Sequence, residues 1–299
     1  MRLIQCIPNF SEGRRPEVIA AITDAISGVE GVNLLDVKAD RDHNRVVVTF
    51  VGEPEAVAEA AFLGAQKAAE LIDMREHHGE HPRLGATDVI PFVPLGTATM
   101  EECVALAEQV GERIGTHLGI PVYLYEKAAR TPERRNLADV RRGQYELLIQ
   151  DITKPERRPD YGPAVANLRS GGTVVGARPP LVAFNVNLDS TDLKAARAIA
   201  KTVRESGGGL PAVKALGLMI EAGNYTQISM NLVDFSVTGM HTVLEAIVTE
   251  AAKYGIEVSG SEIVGLLPAQ ALLDVAIHNL KLTAFSRDQV LEFRLGDSK

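Results

Sequence analysis

Apolar positions along this chain alternate between short continuous runs and stripes recurring every three to four residues, and the alternation predicts a mixed α+β fold. The run at 3–8 reads as a strand. Val18, Ile19, Ile22 and Ile26 then mark the buried face of a helix, which Pro16 opens in the first helical slot, where its missing N–H costs nothing. Strands are expected at 32–37 and 46–51. Pro54 starts a second helix whose stripe, Val57, Ala61, Ala65, Ala68 and Ile72, is mostly small, so the helix can lie close to a sheet. A strand at 89–93 follows. Thr99 with Glu102 makes a capping box for a helix that Gly119 ends, and 122–125 is a further strand.

From 126 to 159 the sequence turns basic (Arg130, Arg134, Arg135, Arg141, Arg142, Arg157, Arg158) and reads as a solvated connecting region. The Gly-rich stretch 161–178 reads as a loop. A new strand starts near Leu181, and Asp189, Ser190 and Thr191 form a natural cap for a helix at 192–205. Gly207-Gly208-Gly209 reads as a flexible linker. Strands at 213–220 and 225–235 flank Gly223-Asn224, a two-residue hairpin signal. A helix at 240–254, a strand at 256–266 and a helix at 269–280 complete the pattern. The order strand, helix, hairpin strands, helix, strand thus occurs twice. It predicts an α/β sandwich of two ferredoxin-like βαββαβ-type subdomains, 1–179 and 180–299, with a groove between them as the favoured ligand site.

Bulk properties narrow the function classes. A formal net charge of −8 over 299 residues argues against a nucleic-acid surface, which needs clustered Lys and Arg. Cys6 and Cys103 are the only cysteines, far apart in sequence, and suit small core residues in a reducing cytosol better than a disulfide framework. No signal peptide precedes the first strand, and no apolar run approaches the roughly 20 residues a membrane span requires. The expected location is cytoplasmic, with no membrane or nucleic-acid partner.

Three of the seven histidines fall in His77-His78-Gly79-Glu80-His81-Pro82-Arg83. His77 to His81 satisfies the zinc pattern H-x-x-E-H, which requires two histidines on one helix face. Pro82 pushes His81 out of the α region and Gly79 weakens a helix, so an extended loop presenting one imidazole is the better reading, with no metal. His81, beside Glu80, Arg83 and Asp88, is the candidate catalytic group, because imidazole both takes and returns a proton near neutrality. His77 and His78 are expected to support it or to face solvent. Asn9 and Ser11 stand where a strand hands over to a helix, placed either to bond a ligand or to cap the helix. Arg45, just before a strand, offers a bidentate site for a carboxylate or is simply a surface arginine. The separation of Gly171 and Gly176 imitates a phosphate loop, but Ala177 and Arg178 stand where Lys and Ser/Thr are required.

Pro-Asn-Phe-Ser-Glu-Gly (8–13), Asp73-Met74 before His-His-Gly-Glu-His-Pro-Arg (77–83), Ala86-Thr87-Asp88-Val89, Val122-Tyr123-Leu124-Tyr125, Ala128-Ala129-Arg130-Thr131 and Val237-Thr238-Gly239 together resemble the glutamate formimidoyltransferase family. In animals this is the amino-terminal part of formimidoyltransferase-cyclodeaminase. The similarity runs from the first strand to about residue 280, so the resemblance implies a free-standing transferase without cyclodeaminase. It also implies two α/β subdomains with folate in the groove between them, tetrahydrofolate as co-substrate, and His81 as the catalytic histidine. The folate-binding segment carried over is Gly162, Pro163, Ala164, Val165, Ala166, Asn167, Leu168, Arg169, Ser170 and Gly171. After Gly162-Pro163 the stretch departs from a more aromatic one in relatives, and Lys38 replaces an acidic residue. The implied reaction moves a formimidoyl group from N-formimidoyl-L-glutamate to N5 of tetrahydrofolate, in histidine degradation and one-carbon metabolism. Arg45, Arg83 and Arg169 then have substrate carboxylates to bind, with Asn9 and Ser11 alongside.

Three other readings stay open at this stage. One is a zinc hydrolase using His77 and His81, another a folate-binding module without turnover, and the third an enzyme that processes 5-formyltetrahydrofolate. A homodimer is among the assemblies left open.

Overall fold

Proline decides where the first two helices begin, and the strands around them follow the apolar runs. In a computed structural model, which describes residues 2–79 and 82–296, β1 (Arg2–Cys6) and β2 (Asn9–Phe10) are two pieces of one interrupted strand. The break falls at Ile7 and Pro8, where Pro8 has no N–H to give but its carbonyl still accepts from Val48 at 3.0 Å. α1 (Pro16–Ser27), β3 (Val32–Asp40), β4 (Arg45–Gly52), α2 (Pro54–Leu71) and β5 (Thr87–Gly96) follow. β1 and β2 both lie antiparallel between β4 and β5, and β3 pairs β4 on the outside. This is the ferredoxin-like arrangement expected for the first half.

Residues beyond β5 extend the same sheet. α3 (Met100–Arg113) carries the full Thr99–Glu102 capping box, runs into a wide turn at Ile114–Leu118, and stops at Gly119, whose φ of 62° is left-handed. β6 (Val122–Glu126) then leads through α4 (Leu137–Val140) and α5 (Gln144–Asp151) to β7 (Thr173–Ala177). β7 inserts between β5 and β6, parallel to both.

Two expectations are corrected here. The basic stretch 126–159 is not a solvated connector: Val140, Tyr145, Leu148 and Ile152 form a core with Leu84, Val89, Tyr123, Tyr125 and Val174. They cover the face of β5, β7 and β6 opposite α3, and the arginines that dominate the composition rim this layer. The Gly-rich loop 161–178 contains β7, buried at all five positions. A strand buried on both faces shows no alternation, so periodicity cannot find it.

The chain divides into two compact units, Met1–Pro179 and Pro180–Lys299. The second has β8 (Val182–Leu188), α6 (Leu193–Val203), β9 (Val213–Ile220), β10 (Tyr225–Leu232), α7 (Met240–Ala252), β11 (Val258–Val264), α8 (Ala269–Leu280) and α9 (Leu291–Gly296). Its sheet, in the order β11-β8-β10-β9, is antiparallel throughout and is the ferredoxin-like order again. α6 and α7 bury Ala196, Ile199, Val203, Val243 and Ile247 with Val182, Val186, Ile228 and Leu232 of the sheet.

Details differ from expectation in this unit. The cap of α6 is Asp192, whose carboxylate accepts from the Lys194 and Ala195 amides, while the Ser190 carbonyl takes the Thr226 amide and hydroxyl. The β9–β10 connection is not a two-residue turn, since Ile220 pairs Tyr225 and a short 3₁₀ turn ending in left-handed Asn224 joins them. Gly207 to Gly209 is no flexible linker: all three amides bond back to Arg204 or Glu205 carbonyls in a tight turn. Among the described residues no helix is long and apolar enough to cross a membrane.

Candidate active site

Gly79 explains how the histidine-rich segment is held. A Cβ there would lie 2.3 Å from the His43 carbonyl oxygen and 2.8 Å from Asn44 Cβ, so only glycine lets the backbone approach the β3–β4 turn this closely. Asn44 occupies the left-handed region at φ 48° and ties three segments together. Its side-chain oxygen accepts from the Gly13 amide at 2.9 Å, its amide donates to the His78 carbonyl at 2.9 Å, and its own carbonyl accepts from His77 Nε2 at 2.9 Å.

That last bond fixes the His77 tautomer. Nε2 carries the proton, and Nδ1 accepts from Arg83 Nε at 3.3 Å. Neither nitrogen is left for a metal, which removes His77 from the zinc pattern. The ring is buried, and burial pushes its pKa below the usual imidazole value, with the Arg83 charge acting the same way. The folded state therefore keeps the ring neutral, whereas the unfolded chain protonates it near pH 6.5. His77 contributes stability above that pH, and the contribution is lost as pH falls from 6.5 toward the depressed folded value. Urea unfolding from pH 7.5 to 5 should show a steeper loss for the wild type than for His77→Gln; parallel curves would remove this assignment.

On the far side of the segment, Arg83 is nearly fully buried and every one of its five donors is used. Nη1 and Nη2 grip Glu146 at 2.9 and 2.7 Å, Nη1 also donates to Gln144 at 3.1 Å, and Nη2 and Nε reach the His77 carbonyl and ring. The Arg83 hydrogen bonds hold the Glu146 carboxyl below the usual range. Gly143 and Gln144 are both left-handed, at φ 80° and 55°, which turns the start of α5 toward Arg83. The segment is thus held at Gly79 and at Arg83. Glu80 and His81, the candidate catalytic histidine, lie outside the described residues.

Asp88 anchors the base of the same region. Its carboxylate, almost entirely buried, accepts the Leu84 amide at 2.9 Å and pairs with the largely buried Arg141. Arg45 lies close by and is half-buried; burial, and then the Arg141 charge, lower its pKa while Asp88 offsets them. It is not a surface arginine. Ser11 donates to the Gly85 carbonyl at 2.8 Å and Asn9 to the Ile7 carbonyl at 3.1 Å, so both polar groups serve the backbone and neither caps α1. α1 has no side-chain cap; the buried Glu12 instead accepts the Arg14 and Arg15 amides, both at 2.9 Å, in the turn that leads into it.

Segment 162–171 is fixed at both ends and exposed between them. Gly171 bridges Gly85, and Asn167 accepts the Gly171 and Ser170 amides. Ala164 and Ala166 are half-buried, Gly162 and Pro163 are exposed, and Val165 and Leu168 present apolar side chains that are 65% and 51% exposed. Arg169 does not point its guanidinium into the cluster around His77. It donates to the Ala69 and Glu70 carbonyls at the end of α2 and lies 3.7 Å from Asp73.

Two clefts border this machinery. One of about 260 Å³ is lined by Glu12, Arg14, Arg15, Asn44, Ile72, Asp73, Glu76 and His77. The other, about 480 Å³, is lined by Arg14, Asp42, His78, Gly79, Arg83, Gln144 and Glu146. Arg14, Gln144, Glu146 and Arg141 were not singled out from the sequence. The left-handed Gly143 was the one local signal for the last three, and it was masked by the charge of its surroundings.

Residues 3–178 match the formiminotransferase domain, N-terminal subdomain, and residues 183–291 match the formiminotransferase domain. A glutamate formimidoyltransferase of Streptococcus pyogenes serotype M1 is 48% identical over 295 residues, covering 98% of this chain and 99% of that protein. The glutamate formimidoyltransferase of Thermoplasma acidophilum is 46% identical over 297 residues, covering 99% and 98%. The formimidoyltransferase-cyclodeaminase of Sus scrofa is 48% identical over 281 residues, which are 92% of this chain and 52% of that protein.

Proposed function

This chain belongs to the formiminotransferase family, and from that premise we propose that it transfers the formimidoyl group of N-formimidoyl-L-glutamate to N5 of tetrahydrofolate. The observation that carries the reading is 48% identity along virtually the whole length of a glutamate formimidoyltransferase. Tetrahydrofolate is a co-substrate, and the products are 5-formimidoyltetrahydrofolate and glutamate. The chemistry belongs to histidine degradation and one-carbon metabolism.

N5 attacks the amidine-like carbon and becomes cationic as the new C–N bond forms. It must lose a proton, and the glutamate nitrogen must gain one before the old C–N bond breaks. A single group that takes the first proton and delivers it to the second site performs both steps, worth roughly 10²–10⁴-fold in rate. His81 is assigned this shuttle. What supports it is the hold on its neighbours in the chain: Gly79 is packed on the β3–β4 turn and Arg83 is saturated by Glu146, Gln144 and His77. Holding both substrates against that loop supplies much of the remaining acceleration.

Gly162 to Gly171 is assigned to folate. The exposed Val165 and Leu168 give the ring system apolar surface, and the bonds of Asn167, Ser170 and Gly171 fix the segment's shape. Asn9, Ser11 and Arg83 act on substrate through the frame they tie together, and Arg45 through the Asp88–Arg141 cluster. No metal is assigned a role. A cytoplasmic setting fits the two buried free thiols, Cys6 and Cys103.

The test is a spectroscopic assay with purified protein, tetrahydrofolate and N-formimidoyl-L-glutamate. Formation of 5-formimidoyltetrahydrofolate with equimolar glutamate is expected. Folate binding without turnover would replace the assignment with a binding module, and consumption of 5-formyltetrahydrofolate alone would replace the substrate.

A further inference from the structure

Three arginines line the two clefts, and they are in different states. Arg83 spends all five donors inside the protein, and Arg15 is paired with Glu12 and the Leu71 carbonyl. Arg14 alone lines both clefts. Its Nε donates to the Arg41 carbonyl at 2.9 Å and its backbone amide to Glu12, which hold the stem in place. Its two terminal amino groups bond no acceptor among the described residues. They form a fork that is fixed at its base and open at its end, the arrangement suited to gripping a carboxylate from two donors at once.

We propose that Arg14 is the specificity-determining residue that binds the α-carboxylate of the acyl donor. The proposal rests on the transferase reading above. In an N-formimidoyl amino acid the α-carboxylate is one carbon from the nitrogen bearing the reacting group, so whatever reads it must stand beside the proton shuttle. Arg14 borders the same cleft as Gly79, which directly precedes Glu80 and His81 in the chain, and Arg83, two residues after His81. The carboxylates of a folate tail are separated from N5 by the whole p-aminobenzoyl unit and do not suit this position. Of the two carboxylates that line this cleft, Glu146 is already neutralised by Arg83, and Asp42 makes no ion pair with Arg14 among the described residues, which leaves the Arg14 fork open to a ligand.

The experiment compares wild type with Arg14→Met, which keeps the apolar stem, and Arg14→Lys, which keeps the charge without the fork. Arg14 is exposed, so folding should be retained and is checked by circular dichroism. Arg14→Met should raise the donor KM about 10–100-fold, as expected for losing a charge-assisted bidentate contact, with kcat within about threefold and the tetrahydrofolate KM unchanged. Arg14→Lys should recover part of the loss. The wild type should also prefer the donor over its α-carboxamide analogue by a similar factor, and Arg14→Met should not. Unchanged donor KM in both variants, or a rise in the folate KM instead, overturns the proposal. Were the wild type to transfer nothing, calorimetric binding of glutamate alone still decides: affinity lost in Arg14→Met supports the site, and equal affinity removes it.

Discussion

Replacing His81 with alanine is expected to lower kcat by at least two orders of magnitude while tetrahydrofolate affinity changes less than about threefold. The reason is chemical. Both proton movements, away from N5 and onto the departing glutamate nitrogen, depend on one positioned group, and water in its place is a poorer base and a poorer acid at neutral pH. Binding, in contrast, is distributed over other side chains. His77 cannot substitute, because its Nε2 proton is committed to the Asn44 carbonyl and its Nδ1 lone pair to Arg83. The pH profile supplies a second reading: the wild type should show a rise governed by an imidazole, and the variant should lose it. Turnover within about fivefold of wild type would end the shuttle assignment, and a parallel collapse of folate affinity would mean that His81 holds folate and moves no proton.

The largest stability effect is expected at Asp88. Its carboxylate is 2% exposed, pairs with Arg141, attracts the nearby Arg45 charge and also accepts the Leu84 amide. Asp88→Ala leaves Arg141 without its carboxylate and removes the negative charge that offsets the mutual repulsion of Arg141 and Arg45. Breaking a buried pair from one side costs about 3–5 kcal/mol, far more than the pair contributes relative to apolar residues of similar volume. Chemical denaturation should read a loss of that size. Asp88→Asn, which keeps an acceptor for Leu84 but not the charge, should fall between. A loss below about 1 kcal/mol for Asp88→Ala would show that solvent reaches the cluster. Because Leu84 adjoins Arg83, activity should fall in both variants.

How much was legible depended on whether a signal was local. The capping box at Thr99 and Glu102, the helix-opening prolines at 16 and 54 and the small-residue stripe of α2 each act within a few residues, and all appear where the pattern put them. The basic stretch was misread because composition is dominated by outward-facing groups. Its arginines outnumber Val140, Tyr145, Leu148 and Ile152, yet those four decide that the segment packs. β7 was invisible because its neighbours on both sides come from strands distant in sequence. In the site, the His77–Arg83 segment announced itself through residue type. Its partners Glu146, Gln144 and Arg14 did not, since each is an ordinary polar residue until another segment arrives beside it.

The sequence by itself determined the α+β class and the repeated strand–helix order, because these follow from backbone sterics and from periodic burial, and its motifs carried the resemblance to the family. Only the tertiary structure decided which charges are free to act. Arg83 is saturated by Glu146, Arg169 is turned to the end of α2, Arg45 is withdrawn beside Asp88, and Arg14 is left open. A guanidinium has the same chemistry in every sequence position, and what distinguishes these four is the set of acceptors that distant segments bring within about 3 Å, the range of a hydrogen bond.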